Sequence, residues 1–132
     1  VGCAIARDLA QYELSIALIE AKSDVGKGTS KANTAILHTG FDSKPDYLES
    51  KLVRRGYERL MVYGPQAGIP IESLGALLVA WNETQLETLP QLRDNAHANG
   101  VTDVEIVSAE EVYQREPHLG KGALGGLIVP GE

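Results

Sequence analysis

Gly2 and Glu20 stand at the separation that a dinucleotide-binding turn requires. In such a unit the last glycine of the fingerprint lets a helix pack closely on a strand, and the helix N-terminus turns its free amides toward a pyrophosphate. An acid about 20 residues on, at the end of the next strand, binds ribose hydroxyls. Gly2 matches that last glycine and Glu20 that acid. A carboxylate at this place favours ribose hydroxyls over a ribose phosphate. The bland alternative is a chance glycine and an ordinary strand-end carboxylate, since the first two fingerprint glycines are not in the chain.

Histidine is the side-chain type best suited to proton transfer near neutrality. Of the three histidines, His38 is the candidate; His97, on a polar helix, and His118, beside Pro117, read as surface residues. A histidine followed by Thr39 and Gly40 in a tight turn can equally serve structure, by donating a hydrogen bond to backbone. Asp42, Asp46 and Glu49 are clustered acids, but no histidine or cysteine accompanies them at metal-ligand spacing, so no metal is assigned. Arg54 and Arg55, near Arg59, have the charge to attract a carboxylate or phosphate, although basic residues on a helix usually form a solvated face.

Periodicity indicates which helices and strands carry these residues. Val1, Ala4, Ile5, Ala6, Leu9 and Ala10 recur at helical spacing and predict a buried helix. LSIALIE, residues 14–20, is short and rich in branched side chains, which predicts a strand buried on both faces. Helix then strand is the second half of a βαβ crossover whose first strand belongs before Val1. AKSDVGKGTSKAN reads as a long loop, and long loops in compact domains are usually functional. TAILHTG is an extended segment, and Pro45 marks the expected start of a helix with Leu48, Leu52, Val53, Leu60 and Met61 on its apolar face.

Farther on, IPIESLGALLVAW predicts one or two strands with a break near Gly75, with Trp81 expected in a core. Asn82 is placed to cap a helix that ends at Gly100, with Pro90 as a kink or turn within it. VEIVS predicts a strand, Ser108 and Glu111 have capping-box spacing, and ALGGLIVPG predicts a last strand. Helices alternating with strands give an α/β or mixed class.

The 132 residues, 43% hydrophobic and 23% charged, have the composition of a globular chain. A net charge of -6 with mixed signs leaves no basic stripe, so nucleic acid is not an expected partner. The single cysteine, Cys3, excludes an internal disulfide and reads as a small packed residue. No stretch reaches the roughly 20 apolar residues of a membrane span. The chain opens without methionine directly into a helical pattern, which reads as a truncated piece of a longer protein.

VGCAIARDLA, ALIEAKSDVGKGTSKANTAILHTG and KPDYLESKL together resemble the D-amino-acid-oxidase-like superfamily of flavoproteins. The resemblance is strongest to the branch of FAD-dependent glycerol-3-phosphate dehydrogenases and L-2-hydroxyglutarate dehydrogenases, and it extends to GALLVAW and REPHLGKGALGGLIVP. It implies a Rossmann-like FAD-binding domain lacking its first strand over residues 1–75 and the start of a mixed α+β substrate domain over 76–132. It further implies that Thr29, Ser30, Asn33 and Thr34 line the flavin, that Lys22, Lys27 and Lys31 add charge near the phosphates unless they are merely solvated, and that His38 lies beside the flavin. The implied enzyme takes hydride from a hydroxyl-bearing carbon of a small anionic substrate, glycerol 3-phosphate or a 2-hydroxy acid. Its implied acceptor is a quinone or oxygen, and its location is cytoplasmic or peripheral to a membrane. Oxidation at an amine-bearing carbon and a non-enzymatic dinucleotide-binding module are the alternatives.

Overall fold

A computed structural model describes all 132 residues, which form two compact units, Val1–Ile36 and Leu37–Glu132. In the first unit, α1 (Gly2–Leu9) is followed by an extended stretch through residue 20 and a loop built of turns. The helix forms where the apolar period predicts it. It buries no residue, however, and Cys3 is exposed. The 14–20 stretch is likewise not the doubly buried strand expected: it joins no ladder, and Ile19 is 90% exposed. A strand exists only through its partner, and the sole sheet is built from residues of the other unit.

That sheet has three antiparallel strands, β1 (Ala76–Ala80), β2 (Glu105–Ser108) and β3 (Gly125–Val129), in the order β1-β3-β2. Ala76 pairs with Val129 and Ala80 with Gly125 on one side, while Glu105 pairs with Ile128 and Ser108 with Gly125 on the other. All five residues of β3 are buried. Alternation sends Leu127 and Val129 to one face, where they join Leu89 and Ala96 of α3 (Glu83–Ala98), together with Val101 and Val104. Ile128 faces the other way, onto Val107 and onto Val112 of α4 (Ala109–Arg115). Each large apolar side chain removed from water here contributes about 1.5–3 kcal/mol.

The paired glycines at the start of β3 permit this sandwich. A Cβ on Gly126 would lie 2.8 Å from the Leu78 carbonyl oxygen and 3.0 Å from Val112 Cγ2; one on Gly125 would lie 3.0 Å from both Leu86 and the Val107 carbonyl oxygen. Both helices are started by side chains that satisfy free amides. Asn82 accepts from the Gln85 amide at 2.9 Å while Gln85 accepts from the Trp81 amide at 2.7 Å. Ser108 and Glu111 form a reciprocal capping box. Pro90 lies inside α3 without ending it, with buried Leu89 and Ala96 fastening the helix to the sheet.

Helix α2 (Leu48–Gln66) departs from expectation at its start and on its surface. It begins at Leu48 rather than Pro45, because Asp46 adopts a positive φ of 70° and Tyr47 is the extended N-cap. Leu48, Leu52, Leu60 and Met61 are exposed, and the helix buries Ser50 and Gly64 instead. Residues 69–75 are not strand: Gly75, at φ 74°, ends the irregular run just before β1. Trp81, placed in the core by its sequence context, is 44% exposed because it lies past the last paired residue of β1. No helix is long and apolar enough to cross a membrane.

Gly126→Ala is expected to destabilise the chain by about 1–3 kcal/mol, since the added carbon meets a backbone carbonyl that cannot yield. Gly120→Ala, with open space around it, is expected to stay within about 0.5 kcal/mol, and urea unfolding midpoints compare the two. The capping box adds a pH signature. The Ser108 amide and then its hydroxyl hold the Glu111 carboxyl below its ordinary value. A folded value lowered in this way stabilises the chain above the unfolded carboxylate range, and that stabilisation is lost as pH falls through the lowered folded value. The stability gap between the native chain and Ser108→Ala is therefore expected to narrow on acidification, as denaturation at a series of pH values measures.

Candidate functional sites in the two units

In the first unit, Gly2 meets the extended stretch where a fingerprint glycine should. A Cβ built on it would lie 3.1 Å from Leu18 Cδ1, so the absence of a side chain is what allows this approach of helix to extended chain. Glu20, at the end of that stretch, is exposed and accepts the Lys22 amide on Oε1 at 2.8 Å. The bond fixes the carboxylate at the turn into the loop. An ionised carboxylate has about four acceptor positions, so one such bond leaves capacity for hydroxyls.

The loop carrying the other candidates is folded by its own polar groups. Asn33 Nδ2 donates to the Ser30 carbonyl at 2.7 Å, and Asn33 Oδ1 accepts the Ala35 amide at 2.8 Å. The Asn33 carboxamide thereby supports Ala35 at a positive φ of 58°. Amides of Lys31 and Ala32 donate to the carbonyls of Gly28 and Thr29. Thr29, Ser30, Asn33 and Thr34 are all exposed. Lys27 donates to the Ser23 hydroxyl at 2.8 Å. A glycine at a close helix approach, a carboxylate at the end of the extended stretch and a hydroxyl-rich turn-built loop are the donor and acceptor set that a dinucleotide such as FAD uses, so the residues present fit it.

In the second unit, His38 does not donate to backbone. Its Nδ1 is hydrogen-bonded to Glu132 Oε1, and its Nε2 faces Asp42 Oδ1 at 3.2 Å. The other oxygen of Glu132 accepts both the amide of Thr39 at 2.9 Å and its hydroxyl at 2.6 Å. Glu132 is 10% exposed against 41% for His38 and 52% for Asp42, so an inner acid and an outer acid flank the ring. The Phe41 ring meets the imidazole edge to face at 6.0 Å. The turn after His38 is tied down by Asn99, whose Nδ2 donates to the carbonyls of Gly40 and Ser43 at 2.9 and 2.7 Å.

Glu132 and Asn99 are not legible as site residues from the sequence. Glu132 is 94 residues from His38, and only the pairing of β3 brings it there. Asp42 is visible in the sequence, four residues after His38, but as one acid of a cluster without a role. His97 and His118 are exposed, as expected. Arg54 is paired with Glu58 at 3.0 Å and stacks over Tyr57, and with Lys51, Arg55, Asp46 and Ser50 it lines an open groove of about 540 Å³ whose charges are mixed. No group of histidine, cysteine and acidic residues is arranged to hold a metal ion.

Comparison with known proteins adds the family dimension. The model of the family described as "DAO: FAD dependent oxidoreductase" matches residues 1–132. A glycerol 3-phosphate dehydrogenase of Caloramator mitchellensis is 39% identical over all of this chain and 29% of its own length. The human mitochondrial L-2-hydroxyglutarate dehydrogenase is 31% identical over 89% of this chain and 26% of its own. A solved structure, dithionite-reduced L-alpha-glycerophosphate oxidase from Mycoplasma pneumoniae with FAD bound, superposes with a TM-score of 0.87 at 32% identity, over 97% of this chain and 34% of that one. The chain thus spans about a third of the length of the relatives it matches.

Asn33→Ala is expected to release the turn it holds. Losing a net hydrogen-bond contribution of about 1 kcal/mol should speed exchange of the Ala35 amide roughly fivefold. Hydrogen exchange read residue by residue checks this, and an unchanged Ala35 rate means that the carboxamide does not hold the turn.

Proposed function

Since the chain belongs to the FAD-dependent oxidoreductase family, we propose that its protein oxidises a hydroxyl-bearing carbon of a small anionic substrate, glycerol 3-phosphate or a 2-hydroxy acid such as L-2-hydroxyglutarate. The observation that carries this reading is the agreement among relatives: a glycerol 3-phosphate dehydrogenase, a glycerol 3-phosphate oxidase and L-2-hydroxyglutarate dehydrogenases all match nearly the whole chain. Bound FAD supplies the hydride acceptor. The chain's own residues supply position and proton handling.

In this reading Gly2 gives the helix-opening amides close access to the pyrophosphate, and Glu20 holds the ribose hydroxyls with the acceptor capacity left by Lys22. Thr29, Ser30, Asn33 and Thr34 offer hydroxyls and a prefolded backbone to the flavin. A loop already held by its own carboxamide has less entropy to lose on binding. His38 takes the proton of the substrate hydroxyl, which must leave as the carbon gives up hydride. The electrons pass on to oxygen or a quinone, and the reading includes a cytoplasmic location with peripheral contact to a membrane.

The test uses the whole protein. Its flavin absorbance should bleach on anaerobic addition of glycerol 3-phosphate or L-2-hydroxyglutarate; a colourless protein, or one that bleaches only with an amino acid, overturns the reading. His38→Gln should retain flavin and lose turnover by about 100- to 10,000-fold, the usual contribution of a general base.

A further inference from the structure

We propose that Glu132 is the positioning residue of His38, keeping the ring hydrogen on Nδ1 so that Nε2 presents its lone pair, with Asp42 as the group that receives Nε2–H once the ring gains a proton. This rests on the reading of His38 as proton acceptor. A neutral imidazole carries a single N–H, and carboxylates only accept, so the ring can donate to just one of its two acids at a time. Which nitrogen keeps the hydrogen is set by the stronger fixed acceptor.

Glu132 is that acceptor, for reasons visible in its contacts. Its side chain is nine-tenths buried, and its second oxygen is locked by the amide and hydroxyl of Thr39, itself 1% exposed. Asp42 is half exposed and meets the ring alone at 3.2 Å. An exposed contact of this kind contributes little. With hydrogen on Nδ1, the Nε2 lone pair repels Asp42, and that nitrogen is left for a substrate hydroxyl.

The step then balances. The substrate O–H bond breaks and its proton bonds to Nε2, the hydrogen of the adjacent C–H leaves with its electron pair as hydride to the flavin, and a C=O bond forms. The ring, now with two N–H groups, matches its two acids, Glu132 on Nδ1 and Asp42 on Nε2. Asp42 and Glu132 are the charged groups in contact with the ring, and Phe41 closes an edge without competing for hydrogen. Because Asp42 faces water, it offers the proton a way out.

The test reads the tautomer directly, in the whole protein labelled with 15N-histidine, from two-bond 1H–15N correlations, with His38→Gln used to assign the signals. The native ring should show hydrogen on Nδ1 when neutral. In Glu132→Gln the amide oxygen must serve the Thr39 amide, since an NH2 group there would leave a buried donor unpaired. The NH2 group then faces Nδ1, and the hydrogen should move to Nε2, with turnover down about 100-fold, KM within about threefold and flavin content unchanged. Asp42→Asn, at an exposed position safe for folding, should leave hydrogen on Nδ1.

A native ring with hydrogen on Nε2, a ring that keeps both hydrogens above neutral pH, or a tautomer that follows Asp42→Asn instead of Glu132→Gln overturns the positioning role. If the tautomer is unmoved in Glu132→Gln while His38→Gln abolishes turnover, Glu132 is excluded and the proton-acceptor reading stands. If the tautomer moves and turnover does not, the reading of His38 as base is what fails.

Discussion

The second unit is organised around a strand that has no free side. β3 is paired along both edges and covered on both faces, so each of its residues is fixed by neighbours in four directions. Two glycines at its start are the condition for this, because any side chain there would collide with both a partner-strand carbonyl and a helix side chain. A strand held in this way cannot slip, since a shift of one residue would turn Leu127 and Val129 out of their core. The chain leaving β3 is therefore delivered to a fixed place, and Glu132 lies just three residues past the strand's end.

The local rules of the sequence read this unit well where they are local. Asn82, Ser108 and Glu111 announce their helices by residue type and spacing, and the structure has both caps bonded as that spacing requires. The short apolar runs at 76–80, 105–108 and 125–129 become strands. Their order is another matter: periodicity says that GGLIV is buried but not that it lies between the other two. The α2 stripe shows the opposite failure. Leu48, Leu52, Leu60 and Met61 keep helical period and remain in water, because period reports a shared face and not what that face meets. The same limit applies to residues 14–20, whose composition is that of a buried strand and which join no ladder and stay exposed.

The site residues divide along the same line. Gly2 and Glu20 can be picked out as candidates because the spacing that suggests them lies within one stretch of chain, and the structure places Gly2 close to Leu18 of the extended segment. His38 is legible as a residue type, and its surroundings are not. Its two acids come from opposite extremes of sequence distance, Asp42 four residues on and Glu132 ninety-four. The near one is exposed and weakly held; the far one is buried and saturated. Tertiary structure, by burying the distant acid, decides which of the two governs the ring.

A carboxylate buried to this degree costs several kcal/mol in lost hydration unless its lone pairs are filled. Glu132 fills them with three hydrogens, of which two come from Thr39 and one from His38. The Thr39 pair is a fixed cost met by a residue with no titration of its own. It leaves the imidazole as the one partner that can change its hydrogen count, so a change at that ring is felt by an acid that has nowhere to move. Structural satisfaction and chemical poise are then the same set of bonds: the tether that makes Glu132 tolerable in the interior is also what makes it a rigid reference for the histidine. A surface carboxylate, free to turn to water whenever the ring changed, could not serve as one.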